Sequence, residues 1–139
     1  MVMRILDTDT VSMYRLGYPK LVARIVAEPR RAIAVTVITV EEQLTGWQAY
    51  LRHAKSDAQR AIAYQNLTDS VRTLSDMHIV TCSEAAIQTY RSLLALKLNI
   101  GGMDLRIAAI ALEEGATVIT LNLRDFGRVP GLACENWAD

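Results

Sequence analysis

Short apolar runs alternate along this chain with longer stretches of helical spacing. Residues 3–6 (MRIL) form an apolar run ending at Asp7, the pattern of a buried strand, and TVSMYRLG after it has helix-like spacing with Gly17 as its stop. Residues 20–27 supply a further helical turn or two before Pro29, and residues 32–38 (AIAVTVI), rich in branched side chains, predict a second strand. From Thr39 the pattern TVEEQLTGWQAYLRHA turns helical. A second long helix over 58–74 follows, so the pair makes a hairpin bent at Ser56 and Asp57. HIVTC predicts a third strand, SEAAIQTYRSLLALKL a helix begun by Ser83, and MDLRIAAIALEEG a helix stopped by Gly115. ATVITLN predicts a fourth strand and GLACENW a short fifth at the edge.

Strands alternating with helices call for a central, mainly parallel sheet of four to five strands in a three-layer α/β/α sandwich. The strand ends then share one face, and residues distant in sequence meet there. Asp7, Glu41 or Glu42, Asp104 and the polar stretch TLNLRD all fall at strand ends or at the starts of the helices that follow.

The 139 residues suit one domain, residues 1–139, with the helical hairpin at about 39–75 as an arm. The 15 basic and 15 acidic residues cancel, so no global positive field advertises a nucleic-acid partner, and any such contact must come from a local patch. Cys82 and Cys134 form no Cys-x-x-Cys pair, and His53 and His78 are the two histidines, which argues against zinc. The first residues lack the apolar core of a signal peptide, and no run of about 18 apolar residues could span a membrane. These features predict a cytoplasmic protein with reduced thiols. Trp47, Trp137 and Met103 read as packing residues, and His53 as a residue of an exposed helix face.

Each acid has a structural role open to it beside a functional one. Asp7 closes an apolar strand, where a buried charge needs a partner or a metal, yet Asp is also an ordinary helix cap. Asp9, beside the helix start, is the more natural cap of the two. Thr39-Val-Glu-Glu42 has the form of a capping box, and Asp104 in a first helical turn suits the helix dipole. Thr120, Asn122 and Asp125 follow the fourth strand. Jointly, oxygen ligands from several strand ends, with no Cys or His among them, are what Mg²⁺ or Mn²⁺ requires.

ILDTDTVS, VITVEEQLTG with Glu42 four residues before Gly46, GGMDLRIAAIALEEGA around Asp104, and VITLNLRDFGRVPGL near the end together resemble the PIN domains, especially the VapC-type toxins of bacterial toxin–antitoxin pairs. The resemblance spans nearly the whole chain. It implies a metal-dependent ribonuclease with Asp7, Glu42 and Asp104 as its acidic centre, holding Mg²⁺ or Mn²⁺ together with Asp9 and either Asn122 or Asp125. Family members often carry a fourth acid where this chain has Asn122. Thr8, Ser12 and Thr120 would orient the carboxylates, and Arg106, Arg124 and Arg128 would meet RNA phosphates. A homodimer and an inhibiting antitoxin protein are also implied, with no membrane partner.

Two rival readings remain. ILDTDTV also fits the Asp-x-Asp-x-Thr/Val signature of haloacid-dehalogenase-type phosphatases, with Asp7 as nucleophile and Asp9 as acid/base. That family needs a later Lys, for which the chain offers only Lys20, Lys55 and Lys97. The other rival is a degenerate PIN domain that binds RNA or protein without cutting.

Overall fold

The computed structural model describes residues 2–139. Five short strands, β1 (Arg4–Leu6), β2 (Ile33–Thr36), β3 (His78–Val80), β4 (Thr117–Ile119) and β5 (Ala133–Glu135), form one sheet in the order β3-β2-β1-β4-β5. Every pairing is parallel, with Ile5 opposite both Ala34 and Val118. Seven helices surround it: α1 (Thr8–Arg15), α2 (Pro19–Ala27), α3 (Val37–His53), α4 (Asp57–Ser75), α5 (Glu84–Ala95), α6 (Gly102–Glu114) and α7 (Leu123–Phe126). This is the expected three-layer sandwich, and the fifth strand does lie at an edge. Among the described residues, no helix is long and apolar enough to cross a membrane.

Alternation along the strands divides the core in two. Ile5, Ala34 and Val118 join a cluster with Leu105, Ile107 and Ile110 of α6 and with Leu93 of α5. Leu6, Ile33, Val35 and Ile119 join the other, with Val11 of α1, Leu21 and Ile25 of α2 and Leu74 of α4. Both faces of the sheet are therefore covered, as a parallel sheet requires. The run Ala108–Ala111 in α6 is wholly buried, because small side chains let this helix lie close against the strands.

Several boundaries follow from identifiable caps. Ser56 accepts a hydrogen bond from the Gln59 amide and starts α4, Ser83 accepts from the Ala86 amide and starts α5, and Gly115 ends α6 at φ +60°. Helices α3 and α4 pack against each other as a hairpin. Three local expectations change. Helix α3 begins at Val37 and is capped by Thr36, whose hydroxyl accepts from the Thr39 amide, so the capping box proposed at Thr39 and Glu42 does not form. Asp7, not Asp9, caps α1. The stretch after β4 is no simple loop: Asn122 caps the single turn of α7.

Strand order fixes where a site can lie. The chain leaves β1 for β2 and β3 on one side and returns to β4 and β5 on the other, so the order reverses between β1 and β4. Ligands of open α/β sheets bind outside the carboxyl ends of the strands at such a reversal. Asp7 follows β1 there, and Thr120 follows β4.

Candidate active site

Asp7 is only 5% exposed and is held from two sides. Its Oδ1 accepts from the Thr10 amide at 3.0 Å, and its Oδ2 accepts from the Thr120 hydroxyl at 2.6 Å. Thr120 Oγ1 in turn accepts from the Asn122 amide at 2.9 Å, so the hydroxyl both donates to Asp7 and accepts from the loop after β4. Burial pushes the Asp7 carboxyl above its ordinary value, and the bonds from Thr10 and Thr120 partly offset that. The cap of α1 is thus also one of the acids that the sequence singles out.

Glu42 comes from the second turn of α3. Its Oε1 accepts from the Thr8 hydroxyl at 2.7 Å, and Thr8 Oγ1 also lies 3.0 Å from Thr39 Oγ1. The first residue of α1 thereby ties Glu42 to the helix that Asp7 starts. Ser12 supports the same seam: its hydroxyl donates to the Thr8 carbonyl at 3.2 Å and accepts from Gln43 Nε2 at 3.1 Å.

Asp104 stands in the first turn of α6 and is half-buried. Burial and then the negative charges of Asp7, Glu42, Asp9 and Asp125 push its carboxyl up to about 6. Four carboxylates from other elements are therefore close enough to repel Asp104. Burial weighs more than any one of them, but only convergence of β1, α1, α3, α6 and α7 explains the remainder. Asp9 is exposed and sits one helical position past Thr8, at the edge of this group.

Among the described residues, no three His, Cys, Asp or Glu side chains stand close enough together to hold a metal ion. Hydrogen bonds from Thr8, Thr10 and Thr120 hold Asp7 and Glu42 in place, at separations across which the acids repel without converging on one point. The donor set is all oxygen and strongly anionic. It fits a hard divalent cation whose shell is completed by water, the usual state of Mg²⁺ in proteins.

The remaining candidates divide. Asn122 is exposed and both ends of its amide face Asp125: Nδ2 donates to Asp125 Oδ2 at 2.8 Å, and Oδ1 accepts from the Asp125 amide at 3.2 Å. Asp125 also pairs with Arg128, whose guanidinium donates to the Leu98 carbonyl at 3.1 Å and the Arg124 carbonyl at 3.2 Å. Arg128 is thus a strap between α7 and the loop that leads to α6, rather than a free phosphate ligand. Arg106 is half-buried, with its guanidinium 4.3 Å from the Tyr90 ring centroid, whereas Arg124 is exposed. The three lysines are exposed, and among the described residues none pairs with Asp7 or Asp9, which removes the support a phosphatase site would need.

Four groove residues, Arg15, Gln43, Trp47 and Tyr50, line a groove beside Glu42 and were not expected at the site. Trp47 was read as packing, yet only its indole N–H is tied down, to Ser70 Oγ at 2.9 Å. The signal available in sequence is the spacing of Gln43, Trp47 and Tyr50 by four and three, which puts them on one face of α3.

No sequence-family model matches the chain. Ribonuclease VapC2 of Rickettsia felis is 50% identical over 40 residues, which cover 29% of this chain and 30% of that protein. The tRNA(fMet)-specific endonuclease VapC of Salmonella typhimurium is 43% identical over 58 residues, 40% of this chain and 44% of that protein. The aligned segments thus span less than half of either curated relative. A solved structure of DNA-bound VapBC from Salmonella typhimurium superimposes over 99% of both chains with a TM-score of 0.80 and 27% identity. The sheet and its flanking helices match the PIN-domain fold of the VapC structures. In sequence and in structure the chain is similar to VapC toxins.

Proposed function

We propose that this chain is a divalent-cation-dependent endoribonuclease that hydrolyses phosphodiester bonds in RNA, and that it is the toxin of a toxin–antitoxin pair acting in the cytoplasm. The observation that carries the reading is the placement of acids from separate elements near one sheet reversal, Asp7 held by Thr10 and Thr120 and Glu42 by Thr8, with Asp104 in the first turn of α6. Unbalanced charge of this kind destabilises a fold unless a cation offsets it. The names of the two relatives, a ribonuclease and a tRNA-specific endonuclease, support RNA as the substrate.

Asp7, Glu42 and Asp104 would hold Mg²⁺ or Mn²⁺, with Asp9 at the outer edge. Such an ion supplies a water of lowered pKa and neutralises charge on the phosphoryl and leaving oxygens. This chain's own side chains do the rest. Thr120 and the Thr10 amide keep Asp7 oriented and partly offset the effect of its burial, and Thr8 fixes Glu42. Arg124, exposed beside Asn122, is a cation suited to an RNA phosphate. Asp125 and Asn122 maintain α7 rather than ligate. An antitoxin protein and a second copy of the chain complete the assembly.

The test is incubation of the purified chain with a long single-stranded RNA and Mg²⁺ or Mn²⁺, with an EDTA control and Asp104→Asn alongside. Cleavage that needs both the cation and Asp104 supports the reading. RNA left whole with every cation refutes it.

A further inference from the structure

Arg106 leaves the second turn of α6 and runs back toward the start of the helix, so that its Nη1 lies 3.0 Å from where a Cβ on Gly102 would stand. A Cβ there would crowd the guanidinium, and glycine leaves it room. Its Cζ stands 4.3 Å from the centroid of the Tyr90 ring on α5, and the Tyr90 hydroxyl lies 3.8 Å from the same Cβ position. Tyr90 thus holds the cation level with the first turn of α6, the turn that carries Asp104.

The cation is held there but not used. Among the described residues Arg106 makes no ion pair, its nitrogens make no hydrogen bond, and none of those nitrogens is shut off from solvent. An aromatic face attracts the charge, yet it does not accept the N–H groups as an oxygen does. The charges that weigh on Asp104 are all negative, so Arg106 is not spent on the acids. The helix dipole also disfavours a cation at this end. Arg128, tied to Asp125 and two carbonyls, lacks this freedom.

We propose that Arg106 binds a backbone phosphate of the RNA strand beside the acids, and that Tyr90 is the positioning residue that fixes the guanidinium for it. The planar fork of an Arg matches two phosphate oxygens. RNA is a polyanion approaching an acid-rich site, and a fixed cation at the margin offsets that repulsion. A strand with one phosphate at Asp104 carries further phosphates past the same end of α6, so a neighbouring phosphate is the anion that the reaction itself brings. The inference rests on RNA being the substrate.

The test is equilibrium binding of a labelled single-stranded RNA by the Asp104→Asn chain over a series of salt concentrations, with further changes at the two positions. Arg106→Gln should lower the log–log salt slope by about 0.7, the value of one single-strand phosphate contact. Tyr90→Leu should lower it too, whereas Tyr90→Phe, which keeps the ring, should leave it unchanged. Tyr90→Leu with Arg106→Gln should lose no more than Arg106→Gln alone, because the two act through one contact. Packing of α5 on α6 by itself would move Tm and leave the slope. A slope unchanged in Arg106→Gln overturns the contact, as does a loss confined to binding of a partner protein. A slope unchanged in Tyr90→Leu, or an equal loss in Tyr90→Phe, overturns the role of the ring. Where thermal melts show that Tyr90→Leu loosens the fold, Arg106→Gln and Tyr90→Phe decide. Because the readout is binding, the two readings fail separately. RNA cut by the parent chain while Arg106→Gln keeps its full slope removes the contact alone, a slope that drops with RNA never cut removes the ribonuclease alone, and RNA neither bound nor cut removes both.

Discussion

The Thr120 hydroxyl donates to Asp7 Oδ2 at 2.6 Å, joining the ends of the two strands on either side of the sheet reversal. Thr120→Val keeps the shape and removes the donor. Hydrogen bonds to charged groups contribute about 2 kcal/mol, so a loss of that order is expected in denaturant unfolding. The bond lowers the Asp7 carboxyl, so its removal raises it further. Ionised Asp7 then appears only at higher pH, and the acid limb of the cleavage profile should move upward. An unmoved limb would separate Thr120 from Asp7's ionisation.

Asp104 makes stability depend on pH in a direction opposite to a salt-bridged acid. Its carboxyl rises from 3.8 to about 6 on folding, so between those values the folded chain holds more protons than the unfolded one. Stability without cation therefore falls as pH rises through that window. Asp104→Asn lacks this loss. After discounting for a half-exposed group, the variant should gain about 1 kcal/mol at pH 7, or about 3 °C in Tm. The gain should vanish near pH 4, and thermal melts at the two pH values measure it.

Cation binding should reverse the same penalty. Mn²⁺ at a hundredfold over its dissociation constant adds about 2.7 kcal/mol to folding, and EDTA removes it. The rise in Tm should be smaller at pH 5, where Asp104 takes up a proton, and smaller again in Asp104→Asn. A rise equal in parent and variant would place the cation elsewhere.

Arg124 and Arg128 are four residues apart and should behave differently. Arg128→Ala breaks a strap to Asp125 and two backbone carbonyls and should lower stability by about 1–2 kcal/mol. Arg124→Ala should leave stability within about 0.5 kcal/mol but reduce the salt dependence of RNA binding by about 0.7 in log–log slope, the value of one single-strand phosphate contact. Chemical denaturation and salt titrations distinguish the two.

Much of this was legible before the structure. The alternation of strands and helices, the Ser56 bend, the Ser83 cap and the Gly115 stop each rest on local chemistry, and each stands as expected. Pattern alone pointed to Asp7, to Glu41 or Glu42, and to Asp104 at a strand end or near helix starts, and the resemblance chose Glu42. The misplacements share a cause. Val37 and Ile38 have strand propensity but lie in α3, because Thr36 caps the helix and Ile38 packs into the core. Asp7 and Asp9 could each cap α1, and only the depth of Asp7 beside β4 decides between them. Helix α7 is a single turn, too short for a periodic signal. The strap role of Arg128 depends on the Leu98 carbonyl, 30 residues away, which no local pattern reveals.

The central claim is that Asp7, Glu42 and Asp104 act together through a divalent cation on RNA. The most direct measurement is the single-turnover rate of RNA cleavage as a function of Mn²⁺ concentration, for the parent chain and Asp104→Asn. The parent rate should rise from none in EDTA to a plateau, and the variant should fall at least about 100-fold below it, as removal of one charge-stabilising group does. Equal rates in the two chains, or cleavage that persists in EDTA, would contradict the account.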